Sequence, residues 1–195
     1  VLEPLSERCL ADVADLDVAE SARELLAYGC QAASVVAAAH RLGLVHGELT
    51  PDAIRVRSDG TLQVDFVRPA PPADTAFHDG DETEAYTITS NFGDEPDAAD
   101  DVRSLSSLLV WLFTRERVQP REHLGKLREQ LLERIVSCDA SASLVADLCA
   151  AVERALNPDP GDRGTAQMIN RHLAALADAE RIPRPLVEGD DATVI

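Results

Sequence analysis

Hydrophobic residues recur at helical spacing over much of the chain. Within 18–42, Leu25, Leu26, Cys30, Ala33, Val36 and Ala37 fall near i, i+4, i+7 spacing, which predicts an amphipathic helix. Gly43 follows, where a glycine commonly closes a helix C-terminus. Ile54 and Val56, then Leu62, Val64 and Phe66, alternate with polar residues instead. Ser58-Asp59-Gly60 lies between them as a turn signal with a glycine available for positive φ. The two runs predict a short β-hairpin, the one clear β feature of the sequence.

From Asp101 onward the helical pattern resumes. Leu105, Leu108, Leu109 and Leu112 give one apolar face, and Trp111 and Phe113 widen it, so this helix is expected to be buried nearly all round. Residues 121–136, 142–156 and 165–179 predict three more amphipathic helices. Asn157-Pro158-Asp159-Pro160-Gly161 makes a rigid break between the last two. Residues 1–14 read as a short apolar piece with Pro4, a turn, and a short helix from Leu10 to Ala14.

Two stretches have no periodicity. Residues 69–102 open with Pro69, Pro71 and Pro72 and hold ten acidic side chains with no Lys or Arg. This predicts a long loop. Asp100 or Asp101 at its end suits an N-cap or first-turn position, where a carboxylate meets free backbone N–H groups. Residues 181–195 read as a tail, leaving 1–180 as the folded unit.

Composition narrows the function. The 195 residues carry 35 acidic and 18 basic side chains, a formal charge of −17, and Lys126 is the only lysine. Such a chain is a poor binder of nucleic acid or of anionic membranes, because both need a basic surface. Hydrophobic residues make up 45%, which argues against general disorder, while aromatics at 4% demand an aliphatic core. No apolar run approaches the roughly 18 residues that span a bilayer, so no membrane insertion by this segment is expected. Cys9, Cys30, Cys138 and Cys149 form no C-x-x-C pair, which points to reduced thiols. The chain begins at Val1 without a signal-peptide pattern, suggesting a processed or excised fragment. A cytoplasmic location is expected, alone or as the cytosolic part of a larger or membrane-attached protein.

One segment carries more than periodicity. His46-Gly47-Glu48-Leu49-Thr50-Pro51-Asp52-Ala53-Ile54 follows the first long helix, and Val64-Asp65-Phe66-Val67 comes after it. The first resembles the catalytic loop H-R-D-L-K-P-x-N-I of the Hanks-type (eukaryotic-like) bacterial Ser/Thr protein kinases, and Asp65-Phe66-Val67 resembles their D-F-G. Asp101-Val102-Arg103-Ser104-Leu105 resembles the start of the family's buried F helix. Residues 155–165 resemble the A-L-x-x-D-P-x-x-R-P-T segment before its last helix, with Arg163 at the arginine. The resemblance implies a mainly α fold: a kinase C-lobe helical bundle with a short β-hairpin at the catalytic-loop position. Residues 69–102 then fall at the activation segment, and the N lobe is absent from this chain. An Arg bias and high Ala content suggest an actinobacterial origin.

The resemblance also shows what is missing. Phosphoryl transfer is catalysed almost entirely by positioned carboxylates, metal and cations. The family's base is Asp, where this chain has Glu48; a carboxylate displaced by about 1 Å matters for catalysis. The neighbouring Arg is Gly47, the catalytic-loop Lys is Thr50, and the metal-binding Asn is Ala53, which has no ligand atom. The D-F-G Asp survives as Asp65, open to two readings: an Mg²⁺ and nucleotide contact, or an acceptor for loop backbone. Glu48 is likewise either a degenerate base or a solvated carboxylate. His46, Asp101 and Arg163 are expected to be architectural, Asp101 by accepting backbone hydrogen bonds from the His46 loop. No A-P-E follows the loop, so Arg163 lacks the Glu partner that the family supplies. Mg–ATP binding would require an N lobe from elsewhere.

The resemblance thus implies a pseudokinase acting as a regulatory or scaffolding module that binds proteins. A forkhead-associated domain or an active kinase is a candidate partner, with Thr83, Thr87, Thr89 and Thr193 as candidate phosphosites in acidic context. The partner surface is placed at residues 120–131 or on the acidic loop. The alternative within the family is residual Ser/Thr kinase activity when joined to an upstream N lobe. Outside it stands a helical interaction domain unrelated to kinases, which would need no hairpin at 54–64.

Overall fold

A computed structural model describes residues 8–15, 22–64, 66, 96–116, 119–137 and 139–182. Helices dominate: α1 (Leu10–Asp15), α2 (Ala22–Arg41), α3 (Ala98–Thr114), α4 (Leu124–Arg134), α5 (Asp139–Ala155) and α6 (Ala166–Ala179). Three short strands, β1 (Arg8–Cys9), β2 (Ile54–Val56) and β3 (Leu62–Val64), form an antiparallel sheet in the order β1-β2-β3. The fold is compatible with a kinase-like helical domain, and the hairpin that a purely helical domain would lack is present.

The hairpin follows its sequence signals. Ile54 pairs with Val64 and Val56 with Leu62, which puts both buried β2 residues on the core face. Asp59 closes the turn by accepting the Thr61 N–H at 2.9 Å and the Thr61 hydroxyl at 2.6 Å, and these bonds hold its carboxyl below the ordinary value. Gly60 takes φ +81°, a conformation L side chains rarely adopt. Gln31, buried on α2, fixes the hairpin to the helices: it accepts the Leu62 N–H at 2.9 Å and donates to the Gly60 carbonyl at 3.2 Å.

Helix α3 is the centre of the structure. Fourteen of its seventeen residues are buried, including Leu105, Leu108, Leu109, Trp111 and Leu112. Helix α2 lies against α3 and α6, and α5 lies against α4 and α6. The small residues of α2 permit close approach: a Cβ added at Gly29 would stand 2.8 Å from the Leu109 side chain. Glu180, just past α6, joins three elements. It accepts the Ser137 N–H at 3.0 Å and the Ser137 hydroxyl at 2.6 Å, and it pairs with Arg23 at 3.7 Å.

Three features depart from the pattern-based expectation. Helix α3 begins at Ala98, so the last five residues of the expected loop, 98–102, are already helical. Asp100 and Asp101 stand in its first turn, as expected, and Asp97 is the N-cap. The predicted helix over 121–136 starts instead as a 3-10 turn, Pro120–His123, and α4 is shorter. Strand β1 completes a sheet where a two-stranded hairpin was expected. None of the described cysteines, Cys9, Cys30 and Cys149, is in a disulfide, and burial pushes the Cys149 thiol up to about 11. No described helix is long and apolar enough to cross a membrane.

Candidate functional site

The candidate site is the loop that links α2 to β2. Helix α2 ends with the Gly43 N–H donating to the His40 carbonyl at 3.1 Å and the Leu44 N–H donating to the Ala39 carbonyl at 3.0 Å. Gly43 takes φ +75°, as this helix ending requires. The chain then passes over the N-terminus of α3. There Asp101, fully buried, accepts the His46 N–H at 2.8 Å on Oδ2 and the Gly47 N–H at 2.7 Å on Oδ1. His40 Nε2 donates to the same Oδ2 at 2.8 Å. A buried carboxylate is costly unless its lone pairs are satisfied, and three converging donors satisfy this one.

The rest of the loop follows from local chemistry. The His46 ring meets Phe66 edge-on at 5.3 Å and 74°, and His46 Nδ1 accepts the Glu48 N–H at 3.2 Å. Gly47 takes φ +78°, and a Cβ there would stand 2.8 Å from both Cβ and Cγ of Pro96. Leu49 is fully buried and anchors the loop in the core. Thr50 caps the 3-10 turn Pro51–Ala53, its hydroxyl accepting the Ala53 N–H at 3.3 Å. That turn delivers the chain into β2.

Arg163 lies at the other flank of the α3 N-terminus, 2% exposed. It donates to the carbonyls of Asn157 at 2.9 Å, Pro158 at 3.1 Å and Ala99 at 3.1 Å, and to Asp100 Oδ1 at 3.1 Å. The partner missing from the sequence motif is therefore supplied by α3 itself. Arg103, half-buried nearby, is held below the ordinary arginine value, first by burial and then by the Arg163 charge, with Asp100 opposing.

The structure thus brings His46, Gly47 and Asp101 into direct contact and sets Glu48 half-buried beside them. Asp65, Thr83, Thr87, Thr89 and Thr193 lie outside the described residues. Lys126 lies far from the loop. Its Nζ donates to Glu116 at 3.1 Å and to the Thr114 carbonyl at 3.3 Å, at the opposite end of α3, roughly 20 Å from Asp101 at the helical rise. Lys126 also holds the Glu116 carboxyl below its ordinary value.

Three contributions were not legible in the sequence: those of His40 and Pro96, and the pairing of Asp100 with Arg163. Each acts across a long separation or through bare shape, and no motif spacing marks it.

Magnesium takes oxygen ligands in near-octahedral array and usually binds through one or two carboxylates plus phosphates. The described loop offers the carboxylates of Glu48 and Asp52; the Ala53 side chain has no donor atom, and the Thr50 hydroxyl is engaged with backbone. Among the described residues, no group of three His, Cys, Asp or Glu could hold a metal ion.

Comparison with known proteins points to the same class as the loop. The chain is 33% identical over 160 residues to the serine/threonine-protein kinase PknK of Mycobacterium tuberculosis (strain ATCC 25618 / H37Rv), and equally to that of Mycobacterium bovis. The match covers 77% of this chain and 14% of the relatives, so the chain spans about a seventh of their length. No family model matches the chain. The similarity supports a kinase-like relationship.

Proposed function

We propose that the chain is a degenerate kinase C lobe, a pseudokinase, that serves as a regulatory or scaffolding module for protein partners. The observation that carries this reading is the contrast within one loop. Its backbone is held by Asp101, while the side chains a phosphoryl-transfer centre needs are replaced by Gly47, Glu48, Thr50 and Ala53. Gly47 and Thr50 have local structural work instead, one against Pro96 and one as a cap.

A protein partner of opposite charge suits the acidic stretch 69–102, since complementary charge speeds encounter and fixes orientation. Helix α4 is the other surface: it buries Leu127 and Leu131 and presents Arg128, Glu129 and Glu133 outward. Phosphorylation at Thr83, Thr87, Thr89 or Thr193 would let a forkhead-associated domain dock, and the module would act in the cytoplasm.

The test is a thermal-shift titration with Mg–ATP, run with a phosphate-transfer assay, on this chain and on a longer form carrying the polypeptide upstream of Val1. No shift and no transfer are expected in either. A shift with transfer in the longer form would establish the residual Ser/Thr kinase reading instead. Incubation with an active bacterial Ser/Thr kinase, followed by mass spectrometry, tests the phosphosites; unmodified threonines throughout would remove that part of the proposal.

A further inference from the structure

We infer that Ser137 is a phosphorylation site whose modification releases a latch between the C-terminal end of α6 and the connection from α4 to α5. The latch lies at the opposite end of α2 from the His46 loop, and the inference does not depend on the functional reading above.

The latch is a buried carboxylate held from the surface. Glu180 is 3% exposed, and it accepts the Ser137 N–H at 3.0 Å on Oε1 and the Ser137 hydroxyl at 2.6 Å on Oε2. The fully buried Ser141, in the first turn of α5, is a further hydrogen-bond partner of this carboxylate. Arg23, in the first turn of α2, stands 3.7 Å from Oε2 and donates to the Glu180 carbonyl at 3.2 Å. Ser137 itself is exposed and lies in the non-helical connection, shortly before α5 begins at Asp139. Past Glu180, Ile182 is buried and its N–H donates to the Ala177 carbonyl at 2.8 Å, so these residues close the end of α6 against the fold.

A phosphoryl group on Ser137 cannot share this place with Glu180. In the transfer, Ser137 Oγ bonds to the γ-phosphorus of ATP and the bond from that phosphorus to the β–γ bridging oxygen breaks. ADP leaves, and the hydroxyl proton passes to the catalytic base of the modifying kinase. The donor that held Oε2 is then gone, and a group of roughly two negative charges stands where the hydroxyl met a buried carboxylate. The helix end sharpens the competition. The first turn of α5 favours a nearby anion, a place that Glu180 fills from outside the helix. The phosphate takes that place together with Arg23, and Glu180 is expelled with Ile182 behind it. Because the hydroxyl is engaged in the closed state, the kinase acts on the opened state, and the product cannot reclose. Sequence context separates this site from the candidate threonines. Arg134, exposed, stands three residues before Ser137, whereas acidic residues precede Thr83, Thr87 and Thr89.

Incubation of the chain with Mg–ATP and a Ser/Thr kinase that reads basic flanks, followed by fragment mass spectrometry, tests the site. A phosphate on Ser137 is expected, and it should be missing from Ser137→Ala; a chain left without phosphate at Ser137 overturns the proposal. Amide exchange on the phosphorylated chain tests the latch. The Ile182 amide should exchange about ten-fold faster or more, while Leu108 and Leu109 in α3 stay within about two-fold of the parent. Unchanged exchange at Ile182 overturns the release. An equal rise at Leu108 and Leu109 overturns a local latch, because the whole fold would then have opened. Arg23→Ala tests the gating at a side chain that is 49% exposed and so removable without opening the core. Loosening Glu180 in this way should raise the rate of Ser137 phosphorylation about two-fold or more, and an unchanged rate overturns the claim that the closed latch shields the hydroxyl.

Discussion

Replacing Asp101 with Asn asks how much one buried carboxylate contributes to the loop. The side chain keeps its shape, but one oxygen becomes an NH₂ donor. If the remaining oxygen faces Gly47, the new donor points at the His46 N–H, which stood 2.8 Å from Oδ2. If it faces His46, the Gly47 N–H is orphaned. His40 can adapt, because neutral imidazole can accept as well as donate. A backbone amide cannot. At least one buried N–H therefore loses its acceptor, at about 1–3 kcal/mol, and the surviving bond loses its charge assistance, about 1 kcal/mol more. The expected loss is about 2–4 kcal/mol, or roughly 5–15 °C in Tm for a chain of this size. Urea unfolding gives the free energy, and amide exchange by NMR shows whether His46 and Gly47 lose protection. A loss under about 1 kcal/mol with both amides still protected would refute the view that Asp101 holds the turn.

Among the described residues, the two α-helical glycines Gly29 and Gly125 should respond to Ala in opposite directions. Gly125→Ala meets no atom within 4 Å and should stabilise by about 0.5–1 kcal/mol, whereas Gly29→Ala must displace the buried Leu109 side chain and should destabilise by about 1 kcal/mol net, as thermal melts will show. Ser106→Ala removes a fully buried hydroxyl that has no hydrogen-bond partner, so chemical denaturation should find it neutral or stabilising by up to about 1 kcal/mol; a clear loss would reveal a partner for the hydroxyl. Burial alone would raise the Glu180 carboxyl, but hydrogen bonds from Ser137 and Ser141 and the Arg23 charge bring it below 4.5. A depressed carboxylate stabilises the fold above its unfolded value and loses that contribution as pH falls through its folded value. Stability should therefore decline below about pH 4.5, and Glu180→Gln should flatten that part of the profile in melts across pH 2–6.

What could be read from the sequence depended on whether the signal was local. Helix α2, the hairpin, α5 and α6 were legible because periodicity, Gly60 and the Asn157–Gly161 break act over a few residues. Strand β1 was not, since Arg8 and Cys9 carry no alternation and become a strand only by pairing with Val56 and Arg55. The start of α3 was obscured by its own acidity: with ten carboxylates in 69–102, nothing marks Asp97 as the cap. The site divides the same way. The motif spacing located the loop at His46 and the acidic turn at Asp101. The Asp100–Arg163 pair joins residues 63 apart, and spacing cannot choose one carboxylate among ten for that role.

The energetics separate the positions that hold the shape of the loop from those at which it differs from the kinase motif. Asp101 and Arg163 are buried charges whose partners are already in place, so removing either leaves uncompensated polar groups at a cost of roughly 3–5 kcal/mol. Leu49 is fully buried, and truncating it would cost roughly 2–5 kcal/mol. Glu48, Thr50 and Ala53 are only partly buried, at positions where exchange for another side chain typically changes stability by far less. Selection for a folded chain alone therefore maintains the frame and is nearly blind to the side chains that would do phosphoryl transfer. Those side chains persist only where the reaction itself is selected. On the function proposed above, the costly positions of this loop stay filled while the inexpensive ones are free to change.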